Sequence, residues 1–111
     1  MIKITIVRED DDKIKSITSM GHSGYAEEGS DIVCASVSVL LQNAQKTFCE
    51  ILNINTTYVV DVKQPSLSIT LPRLEGEDLK MANLIMDSTV NGLYDLADTF
   101  PKYISIKEKR K

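Results

Sequence analysis

The spacing of apolar residues switches between two periods along this chain, and that switching constrains the fold more than any other feature. Residues 2 to 6 carry isoleucine at every second position, and residues 66 to 71 repeat the alternation, which is the period of a β-strand. From Ile32 to Leu52 apolar residues recur instead at steps of three and four, the period of one helical face. A second such stretch runs from Glu77 to about Thr99, before a proline.

Three further segments complete the predicted elements. Residues 13 to 20, 56 to 62 and 102 to 107 are predicted strands, and the spacing of Ile14 and Ile17 in the first allows a bulge. The order ββαββαβ predicts a single domain over residues 1–111, an α+β sandwich in which two helices pack on one mixed sheet. The sheet face without helices is left to water or to a second subunit. The first helix is expected to face the core through six residues: Val33, Val37, Leu40, Ala44, Phe48 and Ile51.

Length and composition predict a soluble protein of the cytoplasm. Hydrophobic residues make up 42% of the 111 residues, which is enough for a globular core. No apolar run approaches the roughly 18 to 20 residues that cross a bilayer, and the N-terminal stretch alternates and then turns acidic, unlike a signal peptide. We therefore expect no membrane partner.

Charge is distributed unevenly along the chain. The net charge is -3, but the last five residues, KEKRK, hold four bases and one acid. The acidic remainder repels phosphate backbones and suits a basic partner, so we expect no direct binding of nucleic acid. The basic tail is expected to be a frayed, solvated terminus rather than an RNA contact.

The stretch GHSGYAEEGSDIVCASVSVL, residues 21 to 40, contains the single histidine and one of the two cysteines. Ser30 or Asp31 is the expected helix cap, and a cap at Asp31 makes Cys34 the third helical residue. Free N–H groups and the helix dipole at that position favour a nucleophilic thiolate. His22 follows a predicted strand, and a neutral imidazole there can take up a thiol proton.

Other interpretations of these residues stay open at this stage. Cys34 also suits the role of a small buried hydrophobe, as Cys49 does, and His22 that of an ordinary loop histidine. A zinc site needs about four ligands, and one histidine with one usable cysteine is too few, so no metal or cofactor is expected. A serine nucleophile would lack the strained turn it normally occupies. The two cysteines would lie roughly 22 Å apart along one helix, too far for a disulfide.

Two neighbours of Cys34 have both a structural and a functional interpretation. Ser38 lies one helical turn beyond Cys34, where its hydroxyl bonds either near the thiolate or back to the Cys34 carbonyl. Asp31 either caps the helix or orients His22 as a third catalytic member. It serves both roles only if its two oxygens are shared.

These residues resemble the bacterial ribosomal-processing cysteine protease (Prp) family. The likeness rests on Gly21-His22, a glycine-containing loop, and DIVCASVS at residues 31 to 38, and the chain length and element order fit as well. The resemblance implies an endopeptidase that removes a short N-terminal extension from ribosomal large-subunit protein twenty-seven, cleaving after aromatic residues. It implies Cys34 as the nucleophile and His22 as the acid/base. Candidate supporting residues are Gly21, Asp31 and Ser38.

The resemblance also implies a homodimer and a mobile loop over the site, at residues 23 to 30. Its glycines are expected hinges, and its two glutamates are expected to attract a basic ribosomal precursor, with a solvated acidic turn as the plain alternative. Backbone N–H groups at the helix start are expected to hold the oxyanion. The candidate lid and substrate-loop residues are Ser23, Gly24, Glu27, Glu28 and Gly29.

The main alternative is a non-catalytic ribosome-associated or assembly protein that uses the basic tail on RNA and keeps Cys34 for packing. A thiol redox sensor is disfavoured because no resolving cysteine is within reach. Selective labelling of Cys34 at mildly acidic pH distinguishes the enzyme from the alternative.

Overall fold

The computed structural model describes residues 1–27 and 31–111, and its elements follow the predicted order. It confirms the predicted α+β sandwich, in which two helices pack on one mixed sheet. No helix in the described part of the chain is long and apolar enough to span a membrane. The elements are β1 (Ile2–Arg8), β2 (Ile14–Met20), α1 (Ile32–Lys46), which continues as a π-helical turn (Thr47–Ile51), β3 (Thr57–Asp61), β4 (Ser66–Thr70), α2 (Gly76–Thr99) and β5 (Ile104–Arg110).

The sheet has the strand order β3-β4-β2-β1-β5. Every pair is antiparallel except β1 and β5, which run parallel and make the sheet mixed. The irregularity predicted near the start of β2 is present, because the register shifts between Val7 and Arg8 where Arg8 meets Ile14. Met20 at the end of β2 pairs with Ser66 at the start of β4, so the chain leaves β2 beside the β3–β4 hairpin.

Both helices cover the face of the sheet that carries the alternating isoleucines. Four of the six predicted core positions of the first helix are buried, but Leu41 is buried in place of the half-buried Leu40. Leu40 lies at the helix–helix contact, where a Cβ added at Gly92 would be 3.0 Å from its Cδ1. Ile51 was predicted to face the core and is 70% exposed, since the π-helical turn changes the helical period beyond Phe48.

The basic tail is part of the sheet, so the expectation of a frayed terminus was wrong. β5 extends to Arg110 and pairs with the whole of β1, and the Lys111 N–H donates to the carbonyl of Arg8 at 2.9 Å. Arg8 Nε donates to Glu108 at 2.5 Å, and the Tyr94 hydroxyl of α2 donates to the same carboxylate. These two hydrogen bonds, that of Arg8 first, lower the pKa of Glu108. The tail is therefore anchored both to β1 and to α2.

The sheet face without helices is polar. Thr5, Thr18 and Ser68 lie side by side across β1, β2 and β4 at its centre, and all three are half-buried. A row of hydroxyl-bearing residues suits contact with water. Exposed apolar side chains are concentrated instead on and after β3: Tyr58, Val59, Val60 and Val62.

Candidate active site

His22 leaves the sheet directly after a glycine whose conformation the turn requires. Gly21 has φ +92°, and its N–H donates to the carbonyl of Pro65 at 2.8 Å. A Cβ added at Gly21 would lie 2.8 Å from the carbonyl oxygen of Met1, so a larger residue would be strained and would clash. Gly21 thus turns the chain at the end of β2 and places an exposed His22 there.

Asp31 caps α1, as one of the two predicted capping residues. Its Oδ1 accepts hydrogen bonds from the N–H groups of Val33 at 3.0 Å and Cys34 at 3.1 Å. The Ala35 N–H donates to the carbonyl oxygen of Asp31 at 3.1 Å, so Cys34 is the third helical residue. These three amides are already engaged. The expectation that the helix start holds an oxyanion therefore finds no free donor among them.

Ser23 closes the loop onto the start of the helix. Its backbone N–H donates to the Sγ of Cys34 at 3.3 Å, and its hydroxyl donates to Oδ2 of Asp31. The hydroxyl oxygen in turn accepts the N–H of Tyr25 at 3.0 Å. Ser23 is only 4% exposed, so these contacts form in a buried setting. The residue next to His22 is thereby in contact with the candidate nucleophile eleven positions further along the chain.

Both side-chain oxygens of Asp31 are engaged by the helix start and by the loop. Burial alone raises the pKa of the Asp31 carboxyl, but hydrogen bonds from the Ser23 hydroxyl and from Cys34 and Val33 outweigh it, so that the pKa is lowered. Asp31 is therefore a carboxylate at neutral pH. Its contacts support the roles of helix cap and loop anchor, whereas its orientation of His22 stays a prediction.

The first half of the predicted lid is tied to the protein body. The ring of Tyr25 makes edge contacts with the rings of Phe100 and Tyr103, with centroids 5.8 Å and 5.2 Å away. Gly24 has φ +75° and open space around it, so its position requires glycine for conformation only. Three residues of the predicted loop lie outside the described residues: Glu28, Gly29 and Ser30, the last of which was also a predicted helix cap.

His22 and Ser38 line one cavity of about 250 Å³ beside β3 and β4. Ser38 is half-buried one turn beyond Cys34, so the cavity begins at His22 and follows the helix from the turn after Cys34. Its polar lining includes Gln42 of α1 and Asp61 of β3. Its apolar lining comes from six residues of α1 and the β3–β4 hairpin: Val37, Leu41, Val60, Val62, Pro65 and Leu67.

The side chains near the pair offer thiol and imidazole chemistry. Both cysteines are free, with Cys34 half-buried and Cys49 exposed. Across residues 1–27 and 31–111, no three His, Cys, Asp or Glu side chains are grouped as metal ligands would be. A half-buried thiol, and an imidazole on the residue before the one that bonds its sulfur, are the elements of nucleophilic acyl transfer.

Sequence reasoning missed two parts of the site. The bond between Ser23 and Asp31 spans eight residues of loop, and no local period signals it. The cavity wall from β3 and β4 depends on the non-local pairing of β2 with β4. A tyrosine inside a glycine-rich loop was the one available signal that the loop packs against the body.

Comparison with known proteins points to one family. The family described as cysteine protease Prp matches residues 1–105. A ribosomal processing cysteine protease Prp from Mycoplasma pneumoniae is 30% identical over 112 residues, covering 100% of this chain and 98% of that protein. The protein of the same name from Bacillus subtilis is 43% identical over 78 residues, covering 70% of this chain and 56% of that protein.

Solved structures share the fold over the whole chain. The ribosomal processing protease Prp from S. aureus, in complex with a covalently linked product peptide, has a TM-score of 0.88 at 22% identity, covering 98% of this chain and 100% of that one. A Streptococcus mutans protein has a TM-score of 0.85 at 25% identity, covering 100% of this chain and 96% of that one.

Proposed function

This chain belongs to the ribosomal-processing cysteine protease (Prp) family, and we propose that it removes the N-terminal extension of ribosomal large-subunit protein twenty-seven. The observation that best supports a cysteine–histidine mechanism is the hydrogen bond from the Ser23 N–H to the Cys34 sulfur. That contact joins the loop carrying His22 to the third residue of α1. A packing thiol would need no such polar contact.

We assign Cys34 as the nucleophile and His22 as the acid/base. His22 takes the thiol proton, and the Cys34 sulfur attacks the scissile carbonyl carbon to form a tetrahedral intermediate. The carbon–nitrogen bond then breaks, His22 gives its proton to the leaving amine, and a thioester remains on Cys34. Water attacks the thioester while His22 takes a proton from it, and the acid product and the free thiol are released.

The cavity beside the pair suits the side chain that precedes the cleaved bond. It is lined by His22 and Ser38 on one side and by apolar side chains such as Val60 and Leu67 on the other. An aromatic ring gains most from burial against such a wall. This agrees with the cleavage after aromatic residues that the family resemblance implies.

A basic ribosomal precursor fits the charge of this protein. The net charge is -3, Glu27 is exposed on the loop, and Asp61 lines the cavity. Raising the salt concentration should lower kcat/KM for a basic substrate, because ions screen exposed charges. A Glu27→Ala/Glu28→Ala double variant should respond less. The same salt response in both proteins would remove the loop carboxylates from the proposal.

We infer a homodimer that forms through β3 rather than through the open sheet face. The open face is rich in serine and threonine, and the β5 edge is covered by charged residues of the tail. The β3 edge carries exposed valines, which leaves it unprotected against pairing with another strand. Val59→Lys changes this edge outside the cavity lining and should yield monomers in analytical ultracentrifugation. Ser105→Lys on the β5 edge is the control, and dimers that persist in Val59→Lys would contradict the inference.

Two further expectations accompany the proposal. The free state of both cysteines is typical of a reducing compartment, and we place the protein in the cytoplasm. The tail bases lie in β5, where Arg110 donates to Asp12 and to the Glu9 carbonyl, so direct binding of nucleic acid is not part of the proposed function. The alternative, a non-catalytic ribosome-associated protein, predicts that Cys34 is unreactive and that the protein binds RNA.

The proposal is tested with a peptide that spans the junction of the precursor. Cys34→Ala and His22→Ala should each lower kcat by a factor of about 10³ or more, because the two residues act as one unit. Cys49→Ala is the matched control and should cleave at the wild-type rate, since its thiol is exposed at the other end of the helix. Retained turnover in Cys34→Ala or His22→Ala would remove the assignment.

A further inference from the structure

Ser23 makes three hydrogen bonds in a buried position, and the proposed chemistry assigns it no role. Its N–H donates to the Cys34 sulfur at 3.3 Å, its hydroxyl donates to Asp31, and its oxygen accepts from Tyr25 at 3.0 Å. A loop residue that is 4% exposed and fully hydrogen-bonded has a fixed position. Ser23 follows His22 in the chain and contacts the Cys34 sulfur, so it links the two residues of the proposed pair.

Three N–H groups at the helix start are already engaged and are not free for this sulfur or for an oxyanion formed beside it. Asp31 already accepts the amides of Val33, Cys34 and Ala35. The Ser23 N–H comes from the other side of the site and is directed at the sulfur itself. It is therefore placed to stabilise negative charge on the thiolate and, after attack, on the carbonyl oxygen next to it.

We propose that Ser23 is a positioning residue for Cys34. Its hydroxyl, fixed on Asp31, holds its backbone N–H on the Cys34 sulfur, and this N–H stabilises the thiolate and the oxyanion in place of the engaged helix amides. The inference rests on the proposed cysteine protease function and adds to it the residue that organises the pair.

The Ser23 hydroxyl also favours the Cys34 thiolate through its contact with Asp31. The Asp31 carboxylate lies at the cap beside Cys34, and an anion there opposes formation of a thiolate. The hydroxyl hydrogen bond withdraws part of that negative charge from the site. Among the described residues, titratable groups near this end of α1 include His22, Tyr25 and Glu27 on the loop and Asp95 on α2, which lines a groove with Ala35.

The first test measures the thiolate without substrate. In a Cys49→Ser background only Cys34 reacts, and the pH dependence of its alkylation by iodoacetamide reports its ionisation. Ser23→Ala should move the midpoint of that profile to higher pH, and Ser23→Thr, which keeps the hydroxyl, should restore it. Ser36→Ala is the matched control, because within the described residues that hydroxyl bonds to the carbonyl of Ile32 in its own helix.

The second test separates kcat from KM on the junction peptide. Ser23→Ala should lower kcat roughly tenfold or more, with KM changed by less than about twofold, because the lost contact acts on the reacting atoms. Ser23→Thr should recover most of the rate.

An unmoved alkylation profile in Ser23→Ala, with only a lower melting temperature, would show a structural role and overturn the proposal. So would a Ser23→Thr variant that behaves like Ser23→Ala in both tests. If the wild-type protein failed to cleave the peptide, that result would contradict the proposed substrate. The alkylation profile would still decide the role of Ser23, because it needs no substrate.

Discussion

Helix α1 and its π-helical extension carry a cysteine near each end, and the two thiols have different surroundings. Cys34 is half-buried, receives a hydrogen bond from the Ser23 N–H, and lies within the network of the Asp31 cap. Cys49 lies in the π-helical turn and is exposed. One residue type on one helical segment thus has two environments. The difference comes from the loop and the cap at the first end, which a helix alone does not supply.

The two ends of this helical segment also differ in the kind of residue they bury. The π-helical end buries Phe48 completely, beside the exposed Cys49. The other end buries polar groups instead, with Ser23 and Asp31 both more than nine-tenths buried. Apolar burial at the far end stabilises the fold with few geometric demands, whereas the polar network at the near end fixes a geometry. The main apolar anchor of the helix therefore lies away from the residues proposed to be catalytic.

Phe48→Ala should produce the largest effect on stability and leave the chemistry intact. Removing a fully buried phenylalanine typically costs about 3–5 kcal/mol of unfolding free energy, measured by urea denaturation. The pH profile of Cys34 alkylation should stay that of the wild type under native conditions. A shifted profile would mean that packing at Phe48 and ionisation at Cys34 are coupled through the helix.

Gly21→Ala should produce an intermediate loss of stability and a clear loss of activity. The left-handed φ costs about 1–2 kcal/mol for a non-glycine residue, and the added Cβ meets the Met1 carbonyl oxygen at 2.8 Å. Relief of that contact would displace His22 and lower kcat/KM. Gly24→Ala is the matched control, because it has φ +75° but open space. Equal effects of the two substitutions on urea unfolding would show that the contact with Met1 contributes nothing.

Asp31→Asn should have the smallest effect, and its effect should depend on pH. The pKa of Asp31 is lower in the folded protein, so its stabilising contribution is complete above the unfolded value of about 3.9 and is lost as pH falls through the folded value. The difference in unfolding free energy between wild type and Asp31→Asn should be about 1 kcal/mol at about pH 6 and should shrink in acid. A Cys49→Ser control should show no such trend. A difference that stays constant into acid would contradict the role given to the carboxylate.

Most of the fold could be predicted from two local signals in the sequence, the apolar period and the capping residue. The alternating isoleucines of β1, the helical steps of α1 and the Asp31 cap are all short-range signals, and the structure follows them. The strand order and the capture of the tail by β1 depend on pairing between distant segments, which no local period encodes. Ile51 was misplaced because a single π-helical turn ends the 3.6-residue repeat.

The candidate site also combines features that local sequence signals predicted with contacts that they did not. The sequence placed Cys34 in the first helical turn and His22 at a strand end, because both follow from element boundaries. The contact that joins them runs through Ser23, and its geometry depends on how a loop returns to a buried carboxylate. The cavity wall from β3 and β4 likewise required the folded sheet.

In the proposed mechanism Cys34, and not Cys49, is the nucleophile. A peptide that ends in phenylalanine chloromethyl ketone resembles the segment before the cleaved bond and alkylates a catalytic thiol irreversibly. Trypsin separates the two cysteines, because Cys34 lies in fragment 16–46 and Cys49 in fragment 47–63. We predict that mass spectrometry finds the label on fragment 16–46 alone, with activity lost in proportion to labelling and little labelling in His22→Ala. Label on fragment 47–63, or activity that survives full labelling of fragment 16–46, would contradict the account.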